Sequence, residues 1–138
     1  MRKKLSVLLL GLYLVLLSTC VMGCGGKSSD FKNIDLETAT ENDLCPDISS
    51  IFSNPALISN EKREEGGRRW EYASVSDEEY QLLINSINDA GIWTNLLYAD
   101  EEHGWYSWAT ENYEWYIWIS NSYSSANHIV IIISQEEI

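Results

Sequence analysis

The chain has 138 residues and a formal net charge of −12, with 21 acidic side chains against nine basic ones. That length suits one domain around one hydrophobic core. The acid excess argues against a nucleic-acid binder, which needs a basic face, and against adhesion of the protein surface to anionic lipid; it reads instead as solubility outside the cell.

The first thirty residues are an address rather than part of a fold. Arg2, Lys3 and Lys4 make a basic start, and residues 5–17 are apolar apart from Ser6 and Gly11. This is the layout of a secretory signal. A transmembrane helix needs about 20 apolar residues, which the run reaches only by counting Ser18, Thr19 and Cys20. The segment Val21-Met22-Gly23-Cys24 then resembles the signal of bacterial lipoproteins: an aliphatic residue, a variable one, a small one, and the cysteine to be lipidated. Leu17-Ser18-Thr19-Cys20 is a weaker second match, because Thr19 fits poorly before the cysteine. The resemblance implies cleavage after Gly23 (signal peptide 1–23), a diacylglyceryl thioether on Cys24 of the palmitate-bearing kind, and retention on the outer face of the cytoplasmic membrane. Two acyl chains at ~0.8 kcal/mol per buried methylene hold a protein there stably. The competing reading is an uncleaved signal anchor.

Residues 24–30, Cys-Gly-Gly-Lys-Ser-Ser-Asp, have the composition of a flexible tether. The Gly-Gly-Lys-Ser run lacks the first glycine of a phosphate loop at its required spacing, and no strand precedes it. All the acidic residues follow the cleavage point, with only six basic ones: Lys27, Lys32, Lys62, Arg63, Arg68 and Arg69. With Cys20 removed and Cys24 lipidated, Cys45 has no partner in the chain, so the fold rests on its apolar core. Beside Pro46, Cys45 reads as a small buried residue rather than a nucleophile.

Residues 31–54 are polar and acidic, and read as an irregular or partly helical arm; Thr40 can open a short helix that Pro46 limits. The α+β domain proper is expected over 55–138. Gly66-Gly67 reads as a two-residue hairpin turn that sets Glu65 against Arg68, Glu64 against Arg69, Lys62 against Glu71 and Ile58 against Val75. Trp70 and Tyr72 alternate with charged residues, so this strand buries one face. Ser76-Asp77-Glu78-Glu79 is a capping box, Tyr80, Leu83, Ile84 and Ile87 form a helical stripe, and Gly91 ends the helix. Residues 92–99 return to the sheet. Asp100-Glu101-Glu102-His103-Gly104 reads as a solvated turn, because the alternate spacing of a calcium loop is absent and only one histidine is near.

Residues 105–118 carry seven aromatics in fourteen positions. A turn at Glu111-Asn112 pairs Trp108 with Trp115 and Tyr106 with Ile117 on a helix-facing side, and Trp105 with Trp118 and Ser107 with Tyr116 on the other. Residues 121–127 form a turn or loop. Ile129-Val130-Ile131-Ile132-Ile133 reads as a strand buried on both faces or set mid-sheet, and the last three residues as a solvated tail. The fold class is therefore α+β: a twisted antiparallel sheet of about five strands, paired as a meander, with one main helix on one face. The acidic helix ending in Ala-Gly and the Trp/Tyr-rich strands after it look like those of small lipoproteins of low-GC Gram-positive bacteria, a resemblance that brings no activity with it.

One helix covers one face of a sheet. The other face presents Trp105, Tyr116 and Trp118 with Ser107, Glu114 and Ser120 between them, the chemistry of a carbohydrate, peptide or protein contact surface. The alternative is that residues 31–52 fold across those rings and make a second small core. A wall-active hydrolase and a protein inhibitor or assembly partner are the other readings; no acid pair, elbow or triad marks catalysis, and no cofactor or metal is implied.

Overall fold

The computed structural model describes residues 34–121 and 127–137. Two one-turn helices, α1 (Glu41–Leu44) and α2 (Ile48–Ile51), lead into the hairpin β1 (Ala56–Lys62) and β2 (Arg68–Ala73). Helix α3 (Asp77–Asp89) follows, then β3 (Asn95–Asp100), β4 (Trp105–Ala109), β5 (Tyr116–Asn121) and β6 (Ile129–Ser134). The six strands form one antiparallel sheet in the order β1-β2-β6-β5-β4-β3.

The sheet is not a single meander. β3 to β6 pair in sequence, but β6 closes against β2, and α3 carries the chain from β2 to the far edge. The reason lies in composition. All six residues of β6 are buried, and a strand this apolar is satisfied only with neighbours on both sides. The edge places go to β1 and β3, which carry polar residues and one bulge each, at Ile58 and Leu97, so that neither presents a regular ladder to a second molecule.

Helix α3 follows its local signals. Ser76 Oγ accepts from the Glu79 amide at 3.2 Å, a Glu79 carboxylate oxygen accepts from the Ser76 amide at 2.9 Å, and Gly91 takes φ +78° just past the end. Tyr80, Leu83, Ile84 and Ile87 are buried against one sheet face. That face supplies Trp70, Trp108, Ile117, Ile119, Ile129, Ile131 and Ile133 to a single core. The alternate residues of the same strands point the other way, as the strand period of two requires.

The first hairpin differs from the two-residue turn expected at Gly66-Gly67. Arg63 donates its amide to Gly67 O at 3.0 Å and Gly66 donates to Arg63 O at 3.3 Å, so the loop is Glu64-Glu65-Gly66. Lys62 therefore opposes Arg68, Glu61 opposes Arg69 and Ser59 opposes Glu71. None of the three expected charge pairs forms across the strands; Arg63 bonds Glu65 within the turn and Arg69 bonds Glu71 along β2. Ile58 falls at the bulge rather than opposite Val75. Over residues 59–62 the slip is odd, so those side chains exchange faces; the bulge at Ile58 makes it even again, and Ala56 and Leu57 keep theirs.

The two turn glycines differ in what surrounds them. A Cβ on Gly66 (φ +94°) meets nothing within 4 Å, whereas one on Gly67 (φ +81°) falls 2.3 Å from Ile133 O and 2.6 Å from Ser134 Cβ. Gly66→Ala should cost only the left-handed backbone penalty, about 1–2 kcal/mol. Gly67→Ala should cost clearly more, because β6 must move. Urea denaturation midpoints of the two variants check this, and equal losses would show that the approach of the hairpin to β6 does not require a glycine.

Candidate functional site

The register places the sequence-predicted contact residues on the sheet face away from α3. One row across that face runs Glu61, Arg69, Ile132, Trp118, Ser107, Tyr98; the next runs Ser59, Glu71, Val130, Ser120, Trp105, Asp100. Tyr116 lies beside Ser134 in the row after Trp118. The Trp105 and Trp118 rings are 6.5 Å apart and tilted by 48°, and the His103 ring is 5.8 Å from Trp105. Tyr116, Trp118, Ser107, Leu97 and the tail residue Glu137 line a shallow dimple of about 20 Å³. All three predicted aromatics are half-buried, and none belongs to the core cluster. Glu114 is not among them: it stands in the turn before β5, donating its amide to Thr110 Oγ1.

The face assignment holds even though the register does not. Trp108 opposes Ile117, Tyr106 opposes Ile119 and Trp105 opposes Ser120, a slip of two from the pairing expected. An even slip leaves each side chain on its face. The cause is Thr110, fully buried, whose hydroxyl accepts from the amides of both Glu114 and Trp115 at 3.2 Å and holds open a longer turn. Tyr113, not Asn112, takes the left-handed conformation, at φ +58°. Trp115 is released from the strand and buried in the core, its indole donating to Leu36 O at 3.1 Å.

Residues 34–54 do not fold over the aromatic face. Leu44, Ile48 and Phe52 are buried in the same core as α3, and Phe52 meets Tyr72 edge-on at 6.0 Å. The arm is fastened there by Glu79. One carboxylate oxygen caps α3, and the other accepts from the amide and hydroxyl of Ser53, both at 2.7 Å. The arm thus extends the layer beside the helix, and the described part of it does not cover the opposite face.

The polar end of that face is internally satisfied. Arg69 donates to Glu71 at 2.8 Å and to Ser59 Oγ at 3.1 Å, and His128 Nδ1 lies 3.4 Å from the other Glu71 oxygen. The bond from Arg69 holds the Glu71 carboxyl below its ordinary range. At the other end Asp100 accepts from the amide of His103 at 3.0 Å and meets its Nδ1 at 2.7 Å, which lowers the Asp100 carboxyl and closes the turn. Among the described residues no three His, Cys, Asp or Glu side chains converge as metal ligands would. Cys45 packs at the border of the core, and burial pushes its thiol up to about 12, so no thiolate nucleophile forms near neutral pH.

Cys24, the lipoprotein-like signal and the tether lie outside the described residues. Among the described residues no helix is long and apolar enough to cross a membrane. No family model, no curated protein and no solved structure matches the chain.

The Glu79 clamp carries a pH dependence. Its bonds from the backbone amides of Ser53 and Ser76 lower the carboxyl from 4.5 to about 2. A depressed carboxyl stabilises the fold above its unfolded value and loses that contribution as pH falls through the folded one. Asp43 and Asp47, lowered by bonds from Thr40 and Ser49, act in the same direction within the arm. Between pH 4.5 and 2 the Ser53 amide should therefore lose hydrogen-exchange protection before the amides of β6 do, and Glu79→Gln should weaken that dependence. Simultaneous loss in arm and sheet would show that Glu79 does not hold the arm separately.

Proposed function

We propose that the chain is a lipid-anchored extracytoplasmic binding module, held at the outer face of the cytoplasmic membrane through Cys24 and working through Trp105, Tyr116 and Trp118. The observation that carries this reading is the position of those rings. They share the sheet face away from the core; the half-buried Ser107 is the cross-strand neighbour of Trp118, and the buried Ser120 lies opposite Trp105. Flat apolar rings beside short hydroxyls suit the face of a sugar ring, and a wall glycan is the ligand class the surface fits best. The surface is close to charge-neutral where it is basic, because Arg69 is already paired with Glu71, so an uncharged ligand meets no unpaired cation there.

A hydrolase reading gains nothing from the same face. An acid catalyst needs a carboxyl raised toward neutrality, and Glu71 and Asp100 are both lowered by the bonds they accept. A protein partner is the remaining alternative, and the binding experiment below separates it from a glycan.

Two measurements test the proposal. Mass spectrometry of the protein recovered from membranes should find a diacylated chain beginning at Cys24, and Cys24→Ser should leave it unprocessed; a lipid on Cys20 contradicts the anchor. Trp118→Ala should weaken co-sedimentation with purified insoluble wall glycan by about tenfold or more, as the loss of a central aromatic contact does. Its cost in stability should stay below the ~3–5 kcal/mol of an aromatic removed from a core. A large fall in melting temperature would show the rings to be core, and unchanged sedimentation would leave the protein-partner reading in place of the glycan.

A further inference from the structure

A second concavity lies on the helix side of the sheet. Helix α3 and the edge strand β3 leave between them a cleft of about 450 Å³, lined by Gln81, Ile84 and Asn88 from the helix and by Leu96, Glu101 and Tyr106 from the sheet, with Ala99 and Trp108 completing it. The volume lies in the range of small-ligand sites, and the lining is mixed: Gln81, Asn88 and Glu101 bring polar groups beside Ile84, Leu96 and Tyr106. Tyr106 and Trp108 are stacked 5.8 Å apart at 16°, and the Trp108 indole donates to Asn88 Oδ1 at 3.1 Å, which fixes both against α3. Leu96 is 58% exposed beside them.

Glu101 is the charged residue in the lining of this cleft. Residues 70–138 contain no lysine or arginine, against twelve acidic side chains. The basic residues of the described chain, Lys62, Arg63, Arg68 and Arg69, are confined to the β1–β2 hairpin. Strand β2 is separated from β4 by β6 and β5, roughly 14 Å at the spacing of paired strands and beyond a Debye length at physiological salt. Among the described residues, therefore, no lysine or arginine stands within a Debye length of Glu101 to offset its charge at the cleft. Burial and then the charges of Glu101 and Asp100 raise the Tyr106 phenol, which is the same field felt at the cleft floor.

We infer that this cleft binds a small organic ammonium compound, with its hydrocarbon part against Tyr106 and Leu96 and its charge beside Glu101. A site lined by one carboxylate, two carboxamides and two rings accepts a cation and rejects an anion. It is separate from the aromatic face proposed above, since Tyr106 and Trp108 point to the opposite side of β4 from Trp105 and Ser107.

The test is a titration of the full-length protein in non-ionic detergent with butylammonium chloride, followed by NMR at physiological salt. The Trp108 indole and the Asn88 carboxamide should shift and saturate while the Trp118 indole stays in place, and butan-1-ol at equal concentration should shift neither. Glu101→Gln should weaken butylammonium about two- to five-fold, the range of one exposed ion pair, and Leu96→Arg, a change at an exposed position, should abolish the effect. Absence of saturable shifts at Trp108, equal shifts from butan-1-ol or from a neutral hexose, or indifference to Glu101→Gln each overturns the inference. Failure of Trp118→Ala to affect glycan binding would leave it untouched.

Discussion

The molecule depends on one strand. β6 joins the β1–β2 hairpin to the β3–β5 meander. It can do so because Ile129-Val130-Ile131-Ile132-Ile133 is β-branched throughout, stiff at χ1 and suited to the pleat. Ile129, Ile131 and Ile133 fill the centre of the core and are 1% exposed or less. Val130 and Ile132 are also buried, although no helix of the described chain faces them. Their cover comes from the cross-strand neighbours Glu71, Arg69, Trp118 and Ser120. Removing that central strand would leave a hairpin and a three-stranded sheet, neither with a complete face.

One-sidedness follows from the same arrangement. A single thirteen-residue helix cannot roof six strands, and the arm, the one described segment free to cover the other face, is instead drawn to the helix side. Leu44, Ile48 and Phe52 gain more by completing the existing core than by opening another, and the two-way carboxylate of Glu79 fixes the choice. The aromatic side chains of β4 and β5 are thus divided by parity. Tyr106 and Trp108 pack beneath α3, and Trp105, Tyr116 and Trp118 stand on the opposite face. Two surfaces come from this split: the helix-free face directly, and the cleft because α3 reaches β4 without closing on β3.

What the sequence made legible was local. Ser76, Glu79 and Gly91 state the limits of α3 through backbone bonds within a few residues, and five consecutive β-branched residues announce a central strand without reference to any neighbour. Strand parity on β4 and β5 was legible too, and it survived the wrong turn because the added length was even. On β1 the three-residue loop made the error odd, and the inviting pattern of opposed charges around Gly66-Gly67 misled. Pairs worth a few tenths of a kcal/mol do not outweigh the close approach of Gly67 to Ile133. The β2–β6 pairing, the seat of the arm and the cleft beside β3 each arise between segments remote in sequence, where no spacing rule applies.

The sheet has one core face and one face that no described helix covers. The six tryptophans divide between them, with Trp70, Trp93, Trp108 and Trp115 at 4% exposure or less in the core, and Trp105 and Trp118 on the other side. Broadening of the assigned indole NMR signals by a soluble neutral nitroxide reads this division directly. The account predicts strong broadening at Trp105 and Trp118 and little at the other four. Protection of Trp118 equal to that of Trp108 would contradict it, for the helix-free face would then be a second interior.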